Sequence, residues 1–254
     1  MDIQAELISI GNELLSGRTL NTHGRDLGEA LSALGLRLSR DTTIPDEINT
    51  IGNAVDEAFS RVDVVFVSGG LGPTVDDITR DALAKLLGQK IVLHQPTVEH
   101  LKSWYEKRGR NITIAATRQA QVLESAVVLF NSAGAAPGQR IELAGGRMLF
   151  VLPGPPNEFN AILNEEIVPW LQNRFADIRP RIVRVVKTKD IGESDIVTIL
   201  EEHGFEPADV ELGFYPAMGK VEIRLTAAPN HEASVTAAEQ SLLKLLADHL
   251  DLYE

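Results

Sequence analysis

The residues best placed to do chemistry form one run, Ser68-Gly69-Gly70-Leu71-Gly72-Pro73-Thr74-Val75-Asp76-Asp77-Ile78-Thr79. Glycines let the backbone approach a ligand closely, and successive amide N–H groups ahead of a helix make a concave site for an anion. A phosphate is the natural guest. Two adjacent carboxylates would repel it unless a hard divalent cation bridges them, the usual way Mg²⁺ meets phosphate oxygens. Asp76 and Asp77 also suit the first turn of a helix, where the macrodipole and free amides stabilise a carboxylate. The sequence leaves both readings open: metal ligands, or residues that start a helix. It does exclude two common phosphate loops. A P-loop ends in Gly-Lys-[Ser/Thr], and the dinucleotide fingerprint needs a glycine or alanine where Val75 stands.

Two further clusters follow predicted strands: Gly11-Asn12-Glu13-Leu14-Leu15-Ser16-Gly17 and Leu152-Pro153-Gly154-Pro155-Pro156-Asn157-Glu158. Loops at the carboxyl edge of a parallel sheet converge on one pocket. Glu13 could orient a ligand or metal there, or cap local amides; the prolines could simply fix the approach to a helix. Pro45-Asp46 reads first as a helix N-cap and second as a site carboxylate. The six histidines are scattered, with no His-Glu-x-x-His spacing, and each reads as a surface or core residue rather than a ligand. Cysteine is absent, which removes disulfides, thiolate nucleophiles and cysteine-held zinc.

The elements that must position these loops are legible as alternation. Glu6 to Ile10 reads as a strand, Thr22 to Leu34 as a helix closed by Gly35, Leu36 to Ile44 as a strand and Asp46 to Phe59 as a helix. Val62 to Val67 is nearly apolar throughout, as expected of a central parallel strand. A helix from about Asp77 to Leu87 follows, then strands at Lys90 to Leu93, Val127 to Phe130, Arg140 to Leu143 and Met148 to Leu152, and a helix from Pro155 to Phe175. This is a doubly wound, mostly parallel α/β pattern, assigned to residues 1–175. A polar, proline-containing link near Asp177 to Pro180 separates a smaller α/β domain, assigned to 176–254: strand Ile182 to Lys187, helix Ser194 to His203, strands Val210 to Tyr215 and Lys220 to Ala227, and helix Glu232 to Leu250.

Charge narrows the class of partner. The 36 acidic side chains exceed the 24 basic ones, a net charge of −12 that repels nucleic acid unless a local patch reverses the field. The region from Ala176 onward carries 8 basic and 15 acidic residues and no Gly-x-x-Gly clamp for an RNA backbone. The start, Met1-Asp2-Ile3-Gln4-Ala5-Glu6, has neither a basic segment nor a long apolar one, and no run of about 18 apolar residues occurs. A cytoplasmic protein is the expectation, with no membrane and no nucleic acid among its partners.

Together these strings resemble the amino-terminal region of CinA proteins. The resemblance rests on Gly69 to Asp77, on Ile8-Ser9-Ile10-Gly11-Asn12-Glu13-Leu14-Leu15 with Asn21, on Gly134-Ala135-Ala136-Pro137-Gly138, on Leu152 to Glu158, and on Ile191-Gly192-Glu193-Ser194 in the tail. It implies a molybdopterin-binding-like domain, similar to that of MogA and MoaB, followed by a small KH-like domain. It also implies metal-dependent hydrolysis of a nucleotide pyrophosphate, ADP-ribose to AMP and ribose 5-phosphate, with Mg²⁺, Mn²⁺ or Co²⁺. The alternatives are adenylyl transfer to molybdopterin and a non-catalytic nucleotide-sensing module. Asp77 and, more loosely, Asp46 match catalytic carboxylates of the family, with Glu13 beside them and the metal at Asp76 and Asp77. Ser68, Gly69, Gly70, Gly72, Pro73, Thr74, Asn21, Pro153, Gly154, Pro155 and Glu158 are the expected substrate contacts, and a homodimer or other homo-oligomer is the expected assembly. Asn12, Val75, Thr117 and Leu123 depart from the family pattern, so ligand choice is expected to shift with them. The chain ends at Glu254 without the deamidase domain of bacterial CinA, and deamidation is not expected.

Overall fold

Strand alternation builds the first sheet. In Val64–Ser68, side chains of Val64 and Phe66 enter one core and those of Val65 and Val67 the other; in Met148–Leu152 the same split sends Met148, Phe150 and Leu152 one way and Leu149 and Val151 the other. Both strands are buried along their whole length, which requires helices on both faces of the sheet. The computed structural model describes residues 3–217 and 219–251. Met1-Asp2, with which the reading of the amino terminus begins, lies outside them.

The elements run β1 Gln4–Ile10, α1 Asn12–Leu15, α2 His23–Ala33, β2 Arg37–Ile44, α3 Ile48–Phe59, β3 Val64–Ser68, α4 Thr79–Leu87, β4 Ile91–Leu93, α5 Gln95–Glu106, α6 Ile114–Thr117, β5 Gln121–Leu123, β6 Val127–Leu129, β7 Gly138–Glu142 and β8 Met148–Leu152. A helical stretch follows, α7 Pro156–Ile162 and α8 Val168–Arg174 joined by a π turn over Leu163–Ile167. The sequence predicts one regular helix there. Pro169 has no N–H to give the carbonyl four residues back, which favours the wider turn before it. The sheet order is β2-β1-β3-β8-β7-β6, parallel from β2 to β8, with β7 and β6 antiparallel at one edge. Helices α3 and α4 cover one face and α2, α7 and α8 the other.

This topology decides where a ligand goes. From β1 the chain first moves to β2 on one side and then to β3 on the other, so the carboxyl ends of β1 and β3 flank a crevice. Glu6, buried in β1, is matched by the Arg61 guanidinium through bonds of 2.7 and 2.8 Å.

Two compact units divide the chain, Met1–Ile178 and Arg179–Glu254. Phe175 and Ile178 pack against the first unit's core, which extends it past the proposed boundary at 175. The second unit holds β9 Ile182–Lys189, α9 Glu193–Glu202, β10 Glu211–Ala217, β11 Lys220–Ala227 and α10 Glu232–Leu245. Its antiparallel sheet, ordered β10-β11-β9, packs one face against both helices through Val186, Ile223, Leu225, Ile196, Val235 and Leu242.

Candidate active site at the carboxyl edge of the parallel sheet

The loop after β3 is shaped by backbone geometry that side chains oppose. Gly69 and Gly70 have φ of +103° and +67°, and a Cβ on them would strike the Ile10 carbonyl and the Thr79 side chain. The Gly69 amide donates to the Leu152 carbonyl at 3.0 Å and its carbonyl accepts from Thr79 Oγ1 at 2.8 Å, which ties β3, β8 and α4 together. The Gly70 and Leu71 amides meet no acceptor among the described residues. They are donors held open beside a cavity, the requirement for an anion nest.

Arg80 supplies positive charge beneath this loop. Its guanidinium is only 2% exposed and donates to the carbonyls of Leu71 and Gly72 at 2.7 and 2.9 Å, with no carboxylate in ion-pair contact among the described residues. Burial lowers its proton affinity from the ordinary arginine value, with the Asp77 charge acting in the opposite direction. An arginine starts far enough above neutral pH to remain charged. Arg118 reaches the same loop, donating to the Thr74 carbonyl at 3.3 Å.

The two aspartates lie ahead of the helix rather than in its first turn, because α4 begins at Thr79. Asp77 turns back instead: its oxygens accept the Gly72 and Thr74 amides at 2.7 and 2.8 Å and the Thr74 hydroxyl at 2.5 Å. It therefore staples the glycine loop. The Thr74 hydroxyl also reaches Asp76 and holds that carboxyl below its usual range. Asp46 is not the cap of α3, whose N-cap is Glu47; Asp46 accepts the Asn12 amide at 2.8 Å and ties the loop after β1 to the loop after β2. The Glu13 carboxylate makes no hydrogen bond or ion pair among the described residues.

A cavity of about 490 Å³ opens where these loops meet. Asp46, Asp76, Asp77 and Glu13 line it, as do Ser68, Gly69, Gly70, Gly72, Pro73, Thr74, Asn21, Pro153, Gly154, Pro155 and Glu158. The residues expected to act in catalysis, metal binding or substrate contact are thus brought to one place, whereas Asn12, Val75, Thr117 and Leu123 do not line it. Asn21 orders its wall: Nδ2 donates to Ser9 Oγ at 3.0 Å while Oδ1 accepts the His23 amide at 3.1 Å. Glu158 is buried enough to raise its pKa, against the opposing effect of donors at Asn131, 2.5 Å away, and at the Ala135 and Ala136 backbone.

Comparison with known proteins places this arrangement. Residues 6–173 match the family described as "Probable molybdopterin binding domain" and residues 183–252 the "Damage-inducible protein CinA KH domain". The crystal structure of CinA from Thermoplasma acidophilum, described as a protein of unknown function, superposes with a TM-score of 0.59 at 34% identity, covering 65% of this chain and 98% of that one. This chain belongs to the CinA family. A CinA-like protein of Kosmotoga olearia is 34% identical across 98% of this chain and 60% of its own length, and one of Dictyoglomus turgidum 32% identical across 99% and 60%. This chain thus spans about 60% of the length of these relatives.

Three residues at or beside the cavity are not among the expected site residues, although Gln119 belongs to the Arg118-Gln119-Ala120 string that matches the family pattern. His23, the first residue of α2, stacks on Phe159 at 4.2 Å between centroids and places Nδ1 2.9 Å from Ser68 Oγ. Gln119 lines the cavity with a buried Oε1 that has no donor among the described residues, a position suited to a ligand N–H or O–H. Arg80, at the edge of the site, is the third. His23 acquires its role from Ser68, 45 residues away, and Arg80 from the carbonyls of the loop just before its own helix.

No group of three Asp, Glu or His side chains lies close enough among the described residues to enclose an ion. Both Asp77 oxygens accept loop donors, whereas Glu13 and one Asp76 oxygen remain open. Such a set fits Mg²⁺-like ions, which keep several waters and take one or two carboxylates plus ligand phosphate oxygens.

Proposed function

We propose that the cavity binds a nucleotide pyrophosphate and hydrolyses it, with ADP-ribose giving AMP and ribose 5-phosphate. The observation that carries this reading is the pair of open amides at Gly70 and Leu71, set over the buried Arg80 charge at the carboxyl edge of the sheet. They would take one phosphate group; Gln119 and the wall formed by Asn21, Pro153 and Gly154 would take the nucleoside side. Asp76, flanked by Asp77 and Glu13, would hold the divalent cation. When bound, that ion supplies charge neutralisation and lowers the pKa of water. The protein's own share is positioning and fixed electrostatics, which carry most of the barrier reduction in phosphoryl transfer. Asp77 contributes by keeping the loop in shape, and Asp46 by fixing the loop that carries Glu13.

The test is AMP release from ADP-ribose by the purified chain with Mg²⁺, Mn²⁺ or Co²⁺, with FAD as a competing substrate and Asp77→Asn and Asp76→Asn as controls. Metal-dependent release that falls in both variants supports the reading. A second reading, adenylyl transfer to a pterin, draws on the family description of a molybdopterin-binding domain; AMP transfer from ATP to molybdopterin without ADP-ribose hydrolysis would favour it. We propose a homo-oligomer as the working assembly, checked by sedimentation.

A further inference from the structure

Within the pyrophosphatase reading, we propose that His23 is the base that takes the proton from the attacking water, with Ser68 as the positioning residue that fixes its tautomer. Two contacts hold the imidazole, the stack on Phe159 with an interplanar angle of 9° and the 2.9 Å bond between Nδ1 and Ser68 Oγ, while Asn21 Oδ1 accepts the His23 backbone amide and fixes the start of α2. Ser68 is itself buried and donates its O–H to the Pro153 carbonyl at 3.2 Å. With that proton committed, Ser68 Oγ accepts, and Nδ1 must carry the ring hydrogen. Nε2 is then a bare acceptor with no hydrogen bond of good geometry among the described residues, and the weaker contact of the ring with the Gly154 backbone is assigned to the Nδ1 hydrogen. A ring fixed by a stack and by a bond at Nδ1, with the Nε2 lone pair left for a ligand or water, is built to receive a proton.

Of the other carboxylates around the cavity, Asp77 and Asp46 accept loop amides, Glu158 accepts from Asn131 and the Ala135 and Ala136 backbone, and Asp76 and Glu13 are the pair assigned to the cation. In the step itself, a water O–H bond breaks and its oxygen bonds to phosphorus while the bridging P–O bond breaks. The bond pair leaves with the phosphate oxygen, and the water proton goes to Nε2. The imidazolium so formed faces Asp26 one turn along α2 and the Gly154 backbone, both of which favour the charged ring. Asp26 is ionised below the usual range: burial pushes it up, but bonds from Asn160 and Arg25 outweigh this. Ser68 on β3 is neutral, and Glu158 beside Phe159 on α7 is turned to Asn131. Burial nevertheless keeps the His23 pKa below its ordinary 6.5, so the free ring is neutral and competent at neutral pH.

The experiment uses the full chain in three parts. Rates of AMP release are measured from pH 5 to 9 for wild type, His23→Gln and Ser68→Ala, ADP-ribose affinity is measured for each, and two-bond ¹⁵N spectra assign the His23 tautomer. Expected are an acid limb below pH 6.5 in wild type, a 10²–10⁴-fold lower kcat without that limb in His23→Gln at roughly unchanged affinity, and an Nδ1–H tautomer lost in Ser68→Ala. Hydrolysis by wild type with the limb retained in His23→Gln would overturn the base and leave the pyrophosphatase reading standing. Absence of hydrolysis by wild type would overturn both. If His23→Gln does not fold, the wild-type tautomer decides: an Nε2–H ring overturns the proposal.

Discussion

The two units of this chain solve the same problem differently. Both bury a sheet against helices, but the first covers both faces and the second only one. Parallel strands need crossovers, and crossovers gather loops at the carboxyl edge; an antiparallel sheet such as that of the second unit does not need them. The first unit thereby collects glycines at positive φ, open amides, a buried arginine and several carboxylates around one cavity. Its chemistry follows from its connectivity. The second unit has a cavity as well, between the end of α9 and the small side chains of α10, but no orphaned buried acceptor lines it among the described residues.

Breaking the loop should separate the units most sharply. Gly69→Val places a side chain on the Ile10 carbonyl at φ +103°, and a loss of about 3 kcal/mol from the first unit together with ligand binding is expected. Hydrogen exchange should show faster opening across β1, β3 and β8 and none across β9 to β11. The converse change is Ile223→Ala, a fully buried residue of β11, expected to cost the second unit about 2–5 kcal/mol while ADP-ribose affinity, read by calorimetry, stays the same. Arg80→Met comes next. It leaves the Leu71 and Gly72 carbonyls without donors, costing about 1–3 kcal/mol in denaturant unfolding, and removes the charge under the nest, so inorganic phosphate should bind more weakly.

The smallest effect is in acid stability. His23 has a lowered pKa in the fold, so below 6.5 the unfolded chain takes up a proton that the folded one resists. Its contribution is therefore neutral above that pH and destabilising as pH falls through the window beneath it. A His23→Gln variant should lose less stability between pH 6.5 and 5 than wild type, measured by urea unfolding.

The contrast between units also explains what the sequence discloses. β3 and β8 are legible because apolar runs bounded by glycine and proline have few other readings, and the KH-like tail because its alternation is regular. α5 is not anticipated. It buries only Thr97, Val98 and Leu101 against a small satellite cluster, too few apolar residues to set a helical period. Among site residues, those on contiguous loops stand out by letter and order. His23 and Arg80 do not: a scattered histidine reads as a surface or core residue and an arginine in a helix carries no signal of its own, and only contacts with Ser68, 45 residues away, and with the loop carbonyls give them purpose. The roles of Asp77 and Asp46 as loop staples are hidden for the same reason, since their acceptor bonds depend on how the loops turn.

The most direct test of the central claim is amide hydrogen exchange of the full chain with and without ADP-ribose and Mg²⁺. Slowed exchange at residues 68–78, strongest at Gly70 and Leu71, with weaker protection over 11–23 and none over 182–227, is the predicted result. Protection confined to the second unit, or absent from Gly70 and Leu71 under saturating ligand, would contradict it.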